Sequence, residues 1–276
     1  MDSALSPSFQ SQGSGPPWRP SGLVTLLTDF GIRDPYVGVM KGVMHRHNPD
    51  VVPIDLSHEV PPQDLRLAAW HLRSTWRYFP VGTVHLVVVD PGVGSGRCIL
   101  VARDRGHAFV APDNGVLGPV LSESACVFAL DVERFALSGA GNTFHGRDIF
   151  APAVAAIAGG LEPEQAGASV EAWQTIDWPR VEHDGAGALA TEVLYADRFG
   201  NLITTLAASE VEAGSWCIEV ADHELPLVRT YADVSPGEGL ALIGSCGTLE
   251  VSVRDGNAAA RFSVGAGTKV RVRRRD

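Results

Sequence analysis

Apolar runs that break off at a carboxylate set the pattern of the first half of this chain. Val84-His85-Leu86-Val87-Val88-Val89 is continuous and mostly β-branched, as a strand covered on both faces requires. It stops at Asp90, and Pro91-Gly92-Val93-Gly94-Ser95-Gly96 then turns the backbone sharply before Arg97. A shorter run over 24–28 has the same grammar and ends at Asp29-Phe30-Gly31. In open α/β sheets ligands bind beyond the carboxyl ends of the strands, so two carboxylates handed to one edge mark candidate chemistry. Arg97, seven residues after Asp90, is a candidate partner for it; taken alone, the pair reads equally as a turn cap and a solvated cation.

Between these runs the period changes to that of helices. Val39, Met40 and Val43 give a partial stripe over 36–46 behind Pro35, and Leu65, Ala68, Ala69, Leu72 and Trp76 give a fuller one over 64–79, with Asp64 at its start. Further strands are expected at 51–56, 98–102, 108–111 and 126–130, and an alanine-rich helix at 151–158 with Pro152 in its first turn and Asp148 as its cap. The alternation predicts an α/β layer with a substantially parallel sheet, and it leaves His145 just before a helix N-terminus. Glycine, proline and acidic residues dominate 166–187, the expected linker. Short β-like runs follow at 190–195, 218–220, 240–243, 249–253 and 268–273, which predict a small β-barrel or sandwich. The expected organisation is therefore a tail over 1–21, an N-terminal α/β domain over 22–165, the linker, and a C-terminal β domain over 188–276.

The 276 residues are 45% apolar and 20% charged, the make-up of a globular protein with a sizeable core. A net charge of −10 argues against nucleic-acid or anionic-membrane partners and suits a cationic small molecule. Cys98, Cys126, Cys217 and Cys246 form no Cys-x-x-Cys pair, so free buried thiols in a reducing, cytoplasmic setting are expected. No apolar run reaches the length of a membrane span, the first 21 residues lack a signal-peptide core, and Arg271 to Arg275 read as a solvated charged end.

Familiar motifs fail one by one. Arg97 stands where a dinucleotide fingerprint needs its third glycine, and no Walker lysine or serine elbow is written. His145 and Asp148 lack further ligands at metal-binding spacing, and His85 reads as a core histidine. What remains is an ordered set: Thr28-Asp29-Phe30-Gly31, Asp34-Pro35-Tyr36-Val37-Gly38, Asp90-Pro91-Gly92-Val93-Gly94, Pro112-Asp113-Asn114-Gly115, Thr143-Phe144-His145-Gly146-Arg147-Asp148 and Phe199-Gly200-Asn201. From about Val24 to the C-terminus this set closely resembles the S-adenosylmethionine (SAM) hydroxide adenosyltransferases, relatives of the fluorinating and chlorinating enzymes that attack the same carbon.

The resemblance implies a Rossmann-like α/β domain, a C-terminal β-barrel, and a homotrimer that binds SAM between one subunit's N-terminal domain and its neighbour's C-terminal domain. It maps a catalytic triad onto Asp90, Arg97 and His145, and places Asp29 on the ribose hydroxyls. Tyr36, Phe144, Phe199 and Tyr231 would line the nucleoside and methionine pocket, Asn201 and Ser245 would bind adenine or the amino-acid end, and Asp34, Asn114, Asp197 and Glu250 complete the implied substrate contacts. It further implies hydrolysis of SAM to adenosine and methionine without cofactor or metal. The alternatives are halide-dependent adenosyl transfer, disfavoured by Asp90 and Gly146 where the fluorinating enzymes carry a tyrosine and a serine, and a non-catalytic adenosine or SAM sensor.

Overall fold

A computed structural model describes residues 17–184, 187–211 and 216–274. The expected N-terminal tail lies outside them except at its end, and there the structure departs from expectation. Trp18 is buried, its indole N–H donating to Ile157 O at 3.0 Å, because a large apolar ring beside the sheet finds more burial than its Pro- and Gly-rich surroundings suggest.

The first unit contains β1 (Leu23–Thr28), α1 (Tyr36–His47), β2 (Val52–Ser57), α2 (Leu65–Thr75), β3 (Val84–Val88), β4 (Ile99–Asp104), β5 (His107–Pro112), β6 (Cys126–Leu130), α3 (Val132–Phe135), α4 (Ala151–Ala158) and β7 (Gly167–Ser169). Its sheet runs β2-β1-β3-β5-β4-β6-β7. Side chains alternate across it. Val24, Leu26, Val84, Leu86 and Val88 pack under α1 and α4, whereas Leu27, Val87 and Val89 meet Ala68, Ala69 and Leu72 of α2. Asp64 caps α2, accepting from Leu67 N at 2.9 Å.

Only β2, β1, β3 and β5 are parallel; β4, β6 and β7 add antiparallel. The reversal is a two-residue turn at Arg105-Gly106, with φ of 48° and 79°, the doubly left-handed geometry that joins hairpins. β7 lies in the stretch expected to be a linker, yet it pairs with β6.

The second unit is antiparallel: β8 (Glu182–His183), β9 (Leu189–Ala196), β10 (Leu202–Ala207), β11 (Trp216–Val220), β12 (His223–Pro226), β13 (Gly239–Ile243), β14 (Thr248–Val253), α5 (Ala258–Phe262) and β15 (Lys269–Arg274). The order is β12-β11-β15-β9-β10-β14-β13, with β8 on β9. A bridge from Leu227 to Ala241 brings the two edges together, so the sheet is nearly a barrel around Val193, Leu202, Ile218, Val251, Val270 and Val272. The basic run at 271–274 is not a loose end: it lies in β15, and Arg273 pairs with Glu219 and Glu224. The units meet where Leu67 and Trp70 of α2 pack on Leu194 and Ile203, flanked by Arg66 donating to Glu192 at 3.1 Å.

The thiols are free, but Cys98 and Cys126 are exposed; both sit at or just before a strand's first residue rather than inside its buried run. Cys217 is buried and Cys246 half-buried. Among the described residues no helix is long and apolar enough to cross a membrane.

Candidate active site

β2 and β3 flank β1 on opposite sides, so the chain leaves β1 in one direction and returns in the other. A crevice opens at such a switch point, beyond the carboxyl ends of the strands. Asp29 follows β1 and Asp90 follows β3, and both line the cavity of about 360 Å³ found there. Phe30, Tyr36, Gln63, Phe144, His145 and Gly146 are among its other walls.

Arg97 reaches back across the turn to Asp90. Its Nε donates to Asp90 Oδ1 at 2.7 Å and its Nη2 to Oδ2, a bidentate pair whose side chains are only 8% and 5% exposed. Nη2 also lies 3.1 Å from His145 Nδ1. A guanidinium only donates, so Nδ1 accepts, and the neutral imidazole carries its proton on Nε2. Burial pushes the His145 pKa below its ordinary value, and Arg97 adds to the push against opposing pulls from Asp90 and Asp148.

Two loops must touch for this contact to form. Gly94 has φ +78° and runs so close to the loop before His145 that a Cβ would sit 2.7 Å from Asn142 O. Glycine alone permits that approach. Asp148 does not cap α4, as the sequence suggested. The last turn before α4, Gly146–Phe150, is π-helical, and the buried Asp148 carboxylate instead accepts from Gly141 N at 3.0 Å and from the Arg147 guanidinium. It thereby shapes the loop that presents His145.

Phe30, Tyr36 and Phe144 form an aromatic corner with ring centroids 5.2–5.9 Å apart. Asp29 Oδ2 accepts from Gln63 N at 2.9 Å, and Gln63 holds φ +67°, a strained backbone at the cavity wall that sequence reasoning gave no role in binding.

The remaining expected residues fall elsewhere. Asp197, Phe199, Asn201, Tyr231, Ser245 and Glu250 line a second cavity, of about 450 Å³, in the β unit, together with Arg229, which the sequence did not single out. Asp197 is fixed by Phe199 N and Asn201 N, each donating at 2.9 Å, and Tyr231 OH donates to the buried Glu250 at 2.5 Å. Burial, with Glu250 beside it, pushes the Tyr231 phenol up to about 12. Phe199 is 74% exposed and Tyr231 44%, so the cavity has aromatic rims facing outward. The two cavities share no lining residue. Asp34 is exposed and lines neither; Asn114 donates to Val89 O at 2.9 Å, holding the end of the β3 run rather than a cavity wall.

Fold and site together define a two-unit protein with a cavity at an α/β switch point and a carboxylate–guanidinium–imidazole chain at its wall. Family models agree. The SAM hydroxide adenosyltransferase N-terminal domain matches residues 24–167 and its C-terminal domain residues 191–271. The chain belongs to the SAM hydroxide adenosyltransferase family.

Among curated relatives, an (R)-S-adenosyl-L-methionine hydrolase from Thermus thermophilus is 42% identical over 258 residues, which cover 90% of this chain and 98% of the relative. A fluorinase from an Actinoplanes species is 24% identical, over 91% and 97%. Among solved structures, an uncharacterized conserved protein from Thermotoga maritima superposes with a TM-score of 0.83 at 34% identity, covering 91% of this chain and all of that one.

Proposed function

We propose that this chain hydrolyses S-adenosyl-L-methionine to adenosine and L-methionine by attack of water at ribose C5′. The observation that carries the reading is the Asp90–Arg97–His145 chain at the wall of the switch-point cavity. Water displaces the sulfonium in line; the C5′–S bond breaks, and its electron pair stays on sulfur, so methionine leaves neutral and needs no acid. The catalytic task is to aim the water and take its proton. Asp90 keeps lone pairs beyond those given to Arg97 and accepts that proton, while neutral His145 adds no positive charge near the cationic substrate.

In this reading Asp29 takes the ribose hydroxyls and the Phe30–Tyr36–Phe144 corner packs on the nucleoside. No cofactor or metal takes part. The parallel half of the first sheet is the Rossmann-like portion of the fold. The cavity in the β unit serves a neighbouring copy in a homotrimer, so that each complete site draws Asp197, Phe199, Asn201, Tyr231, Ser245 and Glu250 from the second subunit. Two features support this division: the separation of the two cavities, and the outward-facing aromatic rim of the second.

The fluorinase relatives make halide-dependent adenosyl transfer the second reading. A single assay decides. Purified protein is given SAM with and without chloride or fluoride, each sulfur epimer supplied separately because the relatives' name specifies (R), and products are resolved by chromatography. Adenosine formed irrespective of halide supports hydrolysis. A halogenated nucleoside supports transfer, and saturable binding without turnover would leave a sensor.

A further inference from the structure

Asp29 faces the cavity, but something behind it fixes where it stands. Thr28, the last residue of β1, is fully buried, and its hydroxyl lies 2.8 Å from His58 Nδ1. The same oxygen accepts from Phe30 N at 3.3 Å. The other side of the His58 ring, Nε2, is 3.0 Å from Asp55 Oδ1, and Lys41 Nζ donates to Asp55 Oδ2 at 2.6 Å. The His58 backbone joins in: Gly31 N donates to His58 O at 2.7 Å. One residue thus grips both ends of the four-residue stretch that carries Asp29.

We infer that His58, braced by Asp55 and Lys41, is a positioning residue that sets the Asp29 carboxylate for its ligand through the Thr28 hydroxyl. Hydrogen counting supports an arrangement in which the imidazole accepts from Thr28. Burial works to raise the Asp55 pKa, yet Lys41 and His58 beside it outweigh that and hold it below the usual value, so Asp55 is an acceptor. With its proton on Nε2, which lies beside Asp55 without the alignment of a hydrogen bond, His58 accepts the Thr28 hydroxyl proton at Nδ1. That leaves the Thr28 oxygen free to take the Phe30 N–H. His58 itself is only 5% exposed and lines neither the switch-point cavity nor the one in the β unit, so it acts on a ligand only through the 28–31 stretch.

The inference rests on the proposed substrate role of Asp29 and is tested in the full chain by adenosine binding in a calorimeter, alongside SAM kinetics and Tm. Thr28→Val keeps the shape and loses the hydroxyl; it is expected to weaken adenosine binding and raise KM for SAM about tenfold, with kcat within about threefold. Thr28→Ser restores both. His58→Asn, whose amide oxygen stands in for Nδ1, keeps affinity within about threefold, whereas His58→Gln does not. Should the His58 variants fail to fold, Asp55→Asn, altered at a half-exposed position, is expected to weaken binding about threefold. Thr28→Val and His58→Gln variants that fold and bind adenosine as the parent does overturn the inference alone. Equal losses in Thr28→Ser and Thr28→Val also overturn it, as a purely structural role. A parent that binds no adenosine removes the substrate role of Asp29 and the inference with it.

Discussion

Removing Asp90 and Arg97 singly and together separates what the pair does for the fold from what it does for chemistry. Both side chains are less than a tenth exposed. Asp90→Ala strands the guanidinium with His145 Nδ1 as its remaining acceptor at the site, and breaking a buried pair from one side costs about 3–5 kcal/mol. Arg97→Met strands the carboxylate at a similar cost. Against a total stability of roughly 5–15 kcal/mol this is a large share, and Tm is expected to fall on the order of 10 °C. The double variant buries no orphaned charge, so most of the loss is recovered, a coupling of about 2 kcal/mol or more. Catalysis does not recover: all three variants lose about 10²–10⁴-fold in SAM turnover, because either the carboxylate that accepts the water's proton is gone or the guanidinium that holds it in place is. Urea unfolding gives the stabilities and chromatography of adenosine the rates. A double variant that regains stability and also turns over SAM within tenfold of the parent would refute the triad mechanism.

Three further outcomes follow from the same geometry. Because burial and Arg97 depress the His145 pKa, the neutral ring persists below pH 6.5, and kcat/KM is expected to fall on the acid side with a midpoint under that value; a midpoint above it contradicts the assignment. His85 is fully buried, bonded to Thr25 and His107, and its pKa is lowered to about 3. The unfolded chain therefore binds the proton first as pH drops through 6.5, and stability present above that pH declines toward 3, by about 2 kcal/mol at pH 5; urea midpoints that do not change between pH 7.5 and 5 would exclude this. Trp18→Ala removes a buried ring and its bond to Ile157 O, and a loss of about 3–5 kcal/mol is expected in the same unfolding assay, whereas a negligible change would show that the segment is not docked.

The strands that end in Asp29 and Asp90 were legible because each is an apolar run with a carboxylate as its stop, and the parallel core of the first sheet follows from them. The β4–β5 hairpin was not, since Arg105 in a left-handed turn carries no sequence signature. Nor was β7: Gly167-Ala168-Ser169 has no hydrophobic pattern, and a strand that short forms only because β6 offers an open edge. Asp148 was read as a cap from its place before an alanine-rich helix, but its neighbour Arg147 and the turn at Gly141 compete for the carboxylate and win. Of the candidate site, Asp29, Asp90 and His145 were legible as residues that share one cavity wall, and their geometry was not. That His145 meets Arg97 depends on Gly94 passing Asn142, a contact between loops, and that His58 braces Thr28 links residues thirty apart.

On the proposed reading, the same arrangement accounts for a preference for water over halide. Of the five N–H groups of Arg97, three are directed at Asp90 and His145, so the guanidinium is largely committed before any ligand arrives. A halide ion entering the crevice sheds water and needs donors in return, yet it meets a carboxylate, whose repulsion is about 4 kcal/mol at 4 Å for an effective dielectric near 20, reduced by the bound arginine. Water brings its own hydrogens to the free lone pairs of Asp90 and loses little on entry. Attack then moves positive charge from sulfur toward the incoming oxygen, nearer the carboxylate than it began, so Asp90 favours the transition state over the bound substrate. The residue that excludes the competing nucleophile is thus the one that accelerates the accepted one.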